Sequence, residues 1–223
     1  MPVYNEASRI RESVEEIEYF LEKTPYEFEI IIAEDGSTDG TDNIASELSL
    51  NKKIIHMHSD KRLGRGRALK NAFLGAEGDI LIYMDADLAT DLSSTRAMIE
   101  GIENGFDICI GSRYMESSKA ERSFLRKTMS LTYNLLVKLL FNTELKDMQC
   151  GLKAFDKKTL PTILNVRDDY WFWDTEALLT AEKQKKRIKE IPVVWKEKES
   201  SKVKIFRDSI YMGIRLIKLR VIL

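Results

Sequence analysis

The chain predicts an α/β fold, with a mainly parallel sheet carrying helices on both faces. Three observations carry that expectation. Short apolar runs rich in isoleucine alternate with longer amphipathic stretches, the β-α-β-α rhythm of parallel sheets. The runs are of strand length and end in polar residues or glycine. The polar motifs that could carry chemistry fall at those ends, where ligands bind in open α/β sheets.

In chain order, "PVYNE" (residues 2–6) reads as the turn after a first strand that is itself absent from the chain. Residues 6–22 read as a helix, 28–35 ("FEIIIAED") as a strand and 40–49 as a helix. Residues 53–60 ("KIIHMHSD") read as a strand, 64–76 as a helix, 79–85 ("DILIYMD") as a strand, 91–104 as a helix and 107–112 ("DICIGS") as a strand. The rhythm then changes. Residues 120–141 form a long helical stretch, followed by a loop around "KDMQCGLKAF", a helix over about 172–185 and a strand "IKEIPVVW". The tail from residue 201 to 223 reads as a basic amphipathic helix. No repeat or low-complexity linker interrupts this order, so residues 1–200 are expected to form one domain and 201–223 an appended helix.

Composition excludes several classes. With 43% hydrophobic residues the chain is not wholly disordered. Its 35 Lys and Arg oppose 36 Asp and Glu, a net charge of −1, so no global field recruits nucleic acid. Cys109 and Cys150 lack the spacing of a metal site or disulfide framework and read as small buried residues in a reducing compartment. No run reaches the ~18 apolar residues of a membrane-spanning helix, and "MPVYNEASRI" is not of signal-peptide type. The expected location is therefore the cytosol, or the cytosolic face of a membrane.

Three motifs bear chemistry. In "YMDADLATDL" a buried strand runs into Asp85, Asp87 and Asp91. Alternation along an extended strand end points Asp85 and Asp87 the same way. Two such carboxylates repel unless a cation lies between them, and hard oxygen ligands at this spacing suit Mg²⁺ or Mn²⁺. Asp91 reads as the N-cap of the next helix. In "EDGSTDGT" (34–41) a strand ends in Glu34 and Asp35, Gly36 permits a tight turn, and Ser37, Thr38 and Asp39 can cap a helix. This is either a turn and cap alone, or a nucleotide site in which a carboxylate accepts from base or ribose. "DKRLGRGRALKNA" (60–72) sets Gly64 and Gly66 at a helix start among Arg62, Arg65 and Arg67, a combination that favours a diphosphate.

Taken in this order with "IGSR", these motifs resemble the family-two glycosyltransferases of GT-A fold, a Rossmann-like fold. "MDADL", "GSR", "RKTMS", "DMQCGLKAF", "WFWDTEAL", "EIPVVW" and "SSK" resemble more closely the dolichyl-phosphate mannosyl- and glucosyltransferases. The resemblance covers nearly all of the chain. It implies an inverting transfer of a hexose from a nucleotide sugar, GDP-mannose or UDP-glucose, to dolichyl or polyprenyl phosphate. It assigns Asp85 and Asp87 to a divalent metal, Mg²⁺ or Mn²⁺, on the donor diphosphate, and Pro2, Tyr4, Glu6 and Asp35 to the nucleotide, with Arg65 as a further neighbour. Arg113, Arg126 and Lys202 match positions that contact phosphates. An alcohol acceptor would need a general base, for which Asp174 is the candidate, with Glu176 second. A lipid phosphate is ionised near neutral pH, its second pKa lying at about 6, so it needs cations to position it more than a base. Many members that make mannosyl lipid carry glutamine where this chain has Ala89, and "QCGLKAF" leans toward the glucosyltransferases.

Residues 119–138 hold five Lys and Arg against Glu121, and residues 202–220 hold six against Asp208, both among Leu, Ile, Phe and Met. Basic amphipathic helices of this kind lie in the interface of anionic membranes, so a membrane surface is an expected partner. The same pattern also suits helices packed on the domain with a solvated basic face. Two rival functions share the motifs. One is a transferase acting on a sugar or protein hydroxyl with Asp174 as base. The other is a non-catalytic nucleotide-sugar or membrane-binding fragment.

Overall fold

A computed structural model describes residues 1–198 and 205–222 of the chain, with side chains from Arg207 onward in the last segment. The first layer is a three-stranded parallel sheet of β1 (Pro2–Val3), β2 (Ile30–Glu34) and β3 (Ile54–Met57). The first strand, expected to be absent, is thus present as a two-residue element: Pro2 and Val3 pair with Ala33 and Glu34. Helices α1 (Ile10–Leu21) and α2 (Thr41–Leu48) join these strands. Ile10, Val14 and Ile17 recur at three- and four-residue spacing along α1 and bury against Ile30, Ile32 and Ala45.

Helix α3 (Arg65–Gly75) leads into a second, mixed sheet in the order β4 (Ile80–Met84), β7 (Leu152–Asp156), β5 (Ile108–Ser112), β8 (Ile188–Pro192). Strand β7 is antiparallel to both of its neighbours, while β5 and β8 are parallel. Its segment falls within the stretch read as a loop around "KDMQCGLKAF". Lys153 interrupts the apolar run of this strand, and β7 pairs with strands distant in sequence, so no local pattern marked it. The remaining elements are α4 (Ser94–Glu103), β6 (Lys119–Glu121), α5 (Phe124–Phe141), α6 (Leu160–Leu164), α7 (Trp173–Lys183), β9 (Val194–Lys196) and α8 (Ile205–Ile222). The expected helix over 120–141 therefore begins with a strand. The expected strand 188–195 divides at Val193, and its second half leaves the sheet to pair with β6.

Alternation explains how helices cover both faces of the second sheet. Ile108, Ile110 and Phe155 pack with Trp173 and Leu178 of α7, whereas Cys109, Leu152 and Ala154 pack with Met98 and Ile102 of α4. Both cysteines are free and buried. Helix α8 sets Met212, Leu216 and Leu219 into the same core as Tyr133 and Val137 of α5. None of the described helices is long and apolar enough to cross a membrane.

Candidate active site

A cleft of about 520 Å³ opens at the carboxyl ends of β1, β2 and β4. Pro2, Tyr4, Glu6, Asp35, Arg65, Asp85, Asp87, Arg113, Arg126 and Asp174 all line it, although they are scattered across the chain. Lys202 lies outside the described residues.

The wall after β2 is built by Asp35, whose Oδ1 accepts from Leu63 N–H at 2.6 Å and Oδ2 from Gly64 N–H at 2.9 Å. Burial pushes its carboxyl up, and the two amides oppose that shift. Gly64 is required here: its φ is +109°, and a Cβ would fall 2.3 Å from Asp169 O. Asp39 ties the same corner together, accepting from Ala7 N–H and from the Thr41 hydroxyl at the start of α2. The Arg62 guanidinium stacks 3.9 Å from the Tyr4 ring centroid. Glu6 pairs with Arg9 at 3.1 Å, and its N–H donates to the Thr41 hydroxyl.

After β4 the chain turns through Leu88, held at φ +46°, and Asp87 accepts from Ala89 N–H at 3.0 Å. Asp91 accepts from Ser93 N–H at 2.8 Å and so organises the entry to α4. Asp85 is abutted by the backbone of Gly151, whose carbonyl accepts from Asp85 N–H at 3.1 Å. A Cβ on Gly151 would overlap Asp85 Oδ2 at 1.8 Å. Burial and then the neighbouring Asp85 charge push the Asp87 carboxyl up. Two hard carboxylates lining one cleft, the one raised by the charge of the other, are a donor set that fits Mg²⁺ or Mn²⁺.

Below this loop lies a buried ion network. Arg65 donates to Asp174 Oδ2 at 2.6 Å and to Asp85 Oδ1 at 2.9 Å, while Lys153 reaches Asp174 Oδ1 at 2.9 Å and Tyr83 Oη at 3.0 Å. The Tyr83 hydroxyl also donates to Asp174. Burial alone would raise the Asp174 carboxyl, but Arg65 and Lys153 outweigh it and hold the group below the usual carboxylate range. A carboxylate clamped in this way is a weak proton acceptor, the reverse of what the hydroxyl-acceptor reading needs. Glu176 is also committed, accepting from the N–H groups of Arg167 and Asp168.

The opposite wall is cationic. Arg113 binds Asp147 with its Nε and Nη2, both at 2.7 Å, and this fixes the guanidinium. Arg122, which the motifs did not single out, lies beside it. Both stack on Trp195, at 5.6 and 5.3 Å from the ring. Arg122 Nη1 donates to Tyr114 Oη and Ser130 Oγ, yet its Nε is buried without a hydrogen bond. Burial and the Arg113 charge lower its pKa, and the Asp147 carboxylate, already bound by Arg113, offsets this only in part. Arg126 pairs with Glu197 at 3.0 Å. The wall is fastened to the acidic loop, because Asp91 N–H donates to Val194 O and Lys196 N–H to Ala89 O.

Lys153 and Arg122 are thus the residues that sequence reasoning missed. A lysine inside the apolar run of β7 was the available signal for the first. Arg122 carried none beyond its place in a basic stretch.

The cleft thus sets paired acids on one loop against a fixed arginine cluster, in an open α/β fold. Comparison with known proteins narrows the class. The family Glycosyl transferase family 2 matches residues 1–164. Glycosyltransferase AglD of Haloferax volcanii is 42% identical over 225 residues, covering 98% of this chain and 36% of that protein. The human dolichyl-phosphate beta-glucosyltransferase is 30% identical over 237 residues, covering 99% of this chain and 73% of the human one. The chain therefore spans about a third of the Haloferax protein's length. Among solved structures, glucosyl-3-phosphoglycerate synthase from Mycobacterium tuberculosis, in complex with Mn²⁺, uridine diphosphate and glucosyl-3-phosphoglycerate, superposes with a TM-score of 0.72 at 16% identity. That match covers 98% of this chain and 76% of the synthase. The chain belongs to glycosyl transferase family 2, and its fold is that of the GT-A enzymes.

Proposed function

We propose that the chain transfers a hexose, glucose in the first instance, from a uridine diphosphate sugar to a dolichyl or other polyprenyl phosphate. The observation that carries this reading is that one cleft is lined both by the Asp85–Asp87 pair and by the Arg113–Arg122 cluster on Trp195. The first suits a donor diphosphate with its cation, the second an acceptor phosphate. The human relative's name, dolichyl-phosphate beta-glucosyltransferase, supports both the acceptor and the sugar, and Ala89 is consistent with glucose over mannose.

In this reading Pro2, Tyr4, Glu6 and Asp35 hold the nucleoside. Asp85 and Asp87 would hold Mg²⁺ or Mn²⁺, which offsets the charge of the departing diphosphate when bound. Arg65, largely buried in the cleft wall, bridges Asp85 and Asp174 and keeps the acidic loop in register. Arg113, Arg122 and Arg126 orient the acceptor phosphate for attack at the anomeric carbon. Its oxygen is already anionic near neutral pH, so no protein base is required. Asp174 acts as the anchor of Arg65 and Lys153.

The test supplies UDP-glucose and GDP-mannose, each radiolabelled, in parallel with a short polyprenyl phosphate and Mn²⁺ or Mg²⁺, and counts organic-phase label. Label from UDP-glucose that EDTA abolishes is the expected result. Label from GDP-mannose alone would replace the sugar, and transfer to a hydroxyl acceptor with none to the lipid phosphate would overturn the proposal.

A further inference from the structure

The chain contains two histidines, and the fold brings both to one place away from the cleft walls described above. His56 lies in β3 and His58 just beyond it, two residues apart along an extended segment. Glu34, the last residue of β2, and Asp42, in the first turn of α2, complete a cluster. His58 Nδ1 is 2.7 Å from Glu34 Oε2 and 3.0 Å from Asp42 Oδ1, and His56 Nε2 is 3.4 Å from the same Asp42 oxygen. One ligand atom from each of the four residues lies within 4.8 Å of the others.

Two features distinguish this cluster from a surface ion pair. The Glu34 side chain is fully buried, and that of His56 is 11% exposed. His56 Nε2 is buried and, although 3.4 Å from Asp42 Oδ1, makes no hydrogen bond, and a buried nitrogen without a hydrogen bond calls for an explanation such as an ion. The orienting partners are also in place. Ser37 N–H donates to Glu34 Oε1, leaving Oε2 turned to the histidines. Asp60 lies 3.3 Å from His58 Nε2, where it can fix the imidazole so that Nδ1 serves as the ligand.

We propose that Glu34, Asp42, His56 and His58 form a binding site for a divalent transition metal of the zinc type, distinct from the Asp85–Asp87 pair. Ligands about 2.1 Å from a tetrahedral ion lie about 3.4 Å from one another; the His56–Asp42 spacing equals that, and the 2.7 and 3.0 Å contacts of His58 would open by a few tenths of an ångström to admit the ion. Two imidazoles and two carboxylates suit zinc, whereas the oxygen-only pair suits Mg²⁺ or Mn²⁺, so ligand type separates the two sites. The ion would tie the end of β2, the start of α2 and the end of β3 together. It would thereby brace the turn that carries Asp35.

The test titrates the EDTA-stripped chain with Zn²⁺ against a chromophoric chelator, in excess Mg²⁺ to fill oxygen-only sites. The expected result is a single equivalent bound in the micromolar range or tighter, with a raised thermal midpoint. The double variant His56→Gln/His58→Gln loses that equivalent, Asp87→Asn keeps it, and Asp60→Asn weakens it by about tenfold or more. Equal zinc binding in wild type and the histidine variant, or none in folded wild type, overturns the proposal. If the double variant does not fold, Co²⁺ added to wild type decides: a strong visible band from a tetrahedral site supports the assignment, and its absence refutes it.

Discussion

Asp87 and Asp174 have opposite environments, and that difference defines their expected variants. Asp87 is held among like charge, so Asp87→Asn relieves repulsion. The variant should match or slightly exceed the thermal midpoint of the wild type at neutral pH while losing donor affinity and most turnover, as UDP titration and the label-transfer assay would report. Wild-type turnover would remove the metal role from this residue. Asp174 instead neutralises two buried cations. Asp174→Asn should cost roughly 3–5 kcal/mol of stability, the usual penalty for breaking a buried pair from one side. Adding Lys153→Met should recover part of the loss, and additive losses in denaturant titrations would show that the two groups do not interact. Arg122→Gln should reduce kcat/KM for the lipid phosphate roughly tenfold to a hundredfold, the worth of a hydrogen bond to a charged group, with nucleotide affinity unchanged. At this scale the acidic half of the cleft could be approached from the sequence because Asp85 and Asp87 sit together at a strand end, a spacing that is weak alone and gains weight only beside the other strand-end motifs. Lys153 and Arg122 were not legible, since a buried lysine has meaning only beside Asp174, and Arg122 only beside Arg113 and Trp195.

Among the elements, α5 and α8 were expected either to lie in a membrane interface or to pack on the domain, and both pack on it. One side of α8 buries Met212, Leu216 and Leu219 in the core, while Ile210, Ile214, Ile217 and Val221 remain exposed on the other. Helix α5 likewise exposes Phe124, Leu125, Leu131, Leu135 and Leu139. A helix apolar on two sides covers the domain and still presents a greasy surface, which single-face periodicity could not distinguish from either alternative. The described part of the tail is continuous with the main core, and its outer stripe is the part we assign to a membrane surface. Deleting the helix would therefore damage the fold. Ile214→Glu/Ile217→Glu should spare stability and weaken partitioning onto anionic vesicles at least tenfold, and unchanged partitioning would remove the membrane role from this face. The strands β2 to β5 were readable because each is a local apolar run. Strand β7 was not, because insertion between β4 and β5 is decided by partners far away in sequence.

For the whole molecule, the buried carboxylates set the response to acid. Asp147 and Asp174 are held below the ordinary range, since Arg113 in one case and Arg65 with Lys153 in the other overcome burial. Their folded-state pKa lies beneath the unfolded value of about 3.9. The stability they provide is thus complete above that value and is lost as pH falls through the folded pKa. Asp35 and Asp87 are shifted the other way, so their contribution declines as pH rises from the unfolded value through the raised one. The Asp147 and Asp174 contribution should be lost only below about pH 4, and the raised Asp87 carboxyl should make the thermal midpoint of wild type, relative to that of Asp87→Asn, increase on acidification from neutrality toward that value. Circular dichroism across pH would test both parts. The two main-chain bonds that join the acidic loop to Val194 and Lys196 have a thermodynamic consequence. On the proposed function, any shift of the loop that accompanies nucleotide binding is passed through these bonds to the strand bearing Trp195, which couples the two ligands. Whatever factor the nucleotide adds to the affinity for polyprenyl phosphate, the polyprenyl phosphate returns to the nucleotide in equal measure.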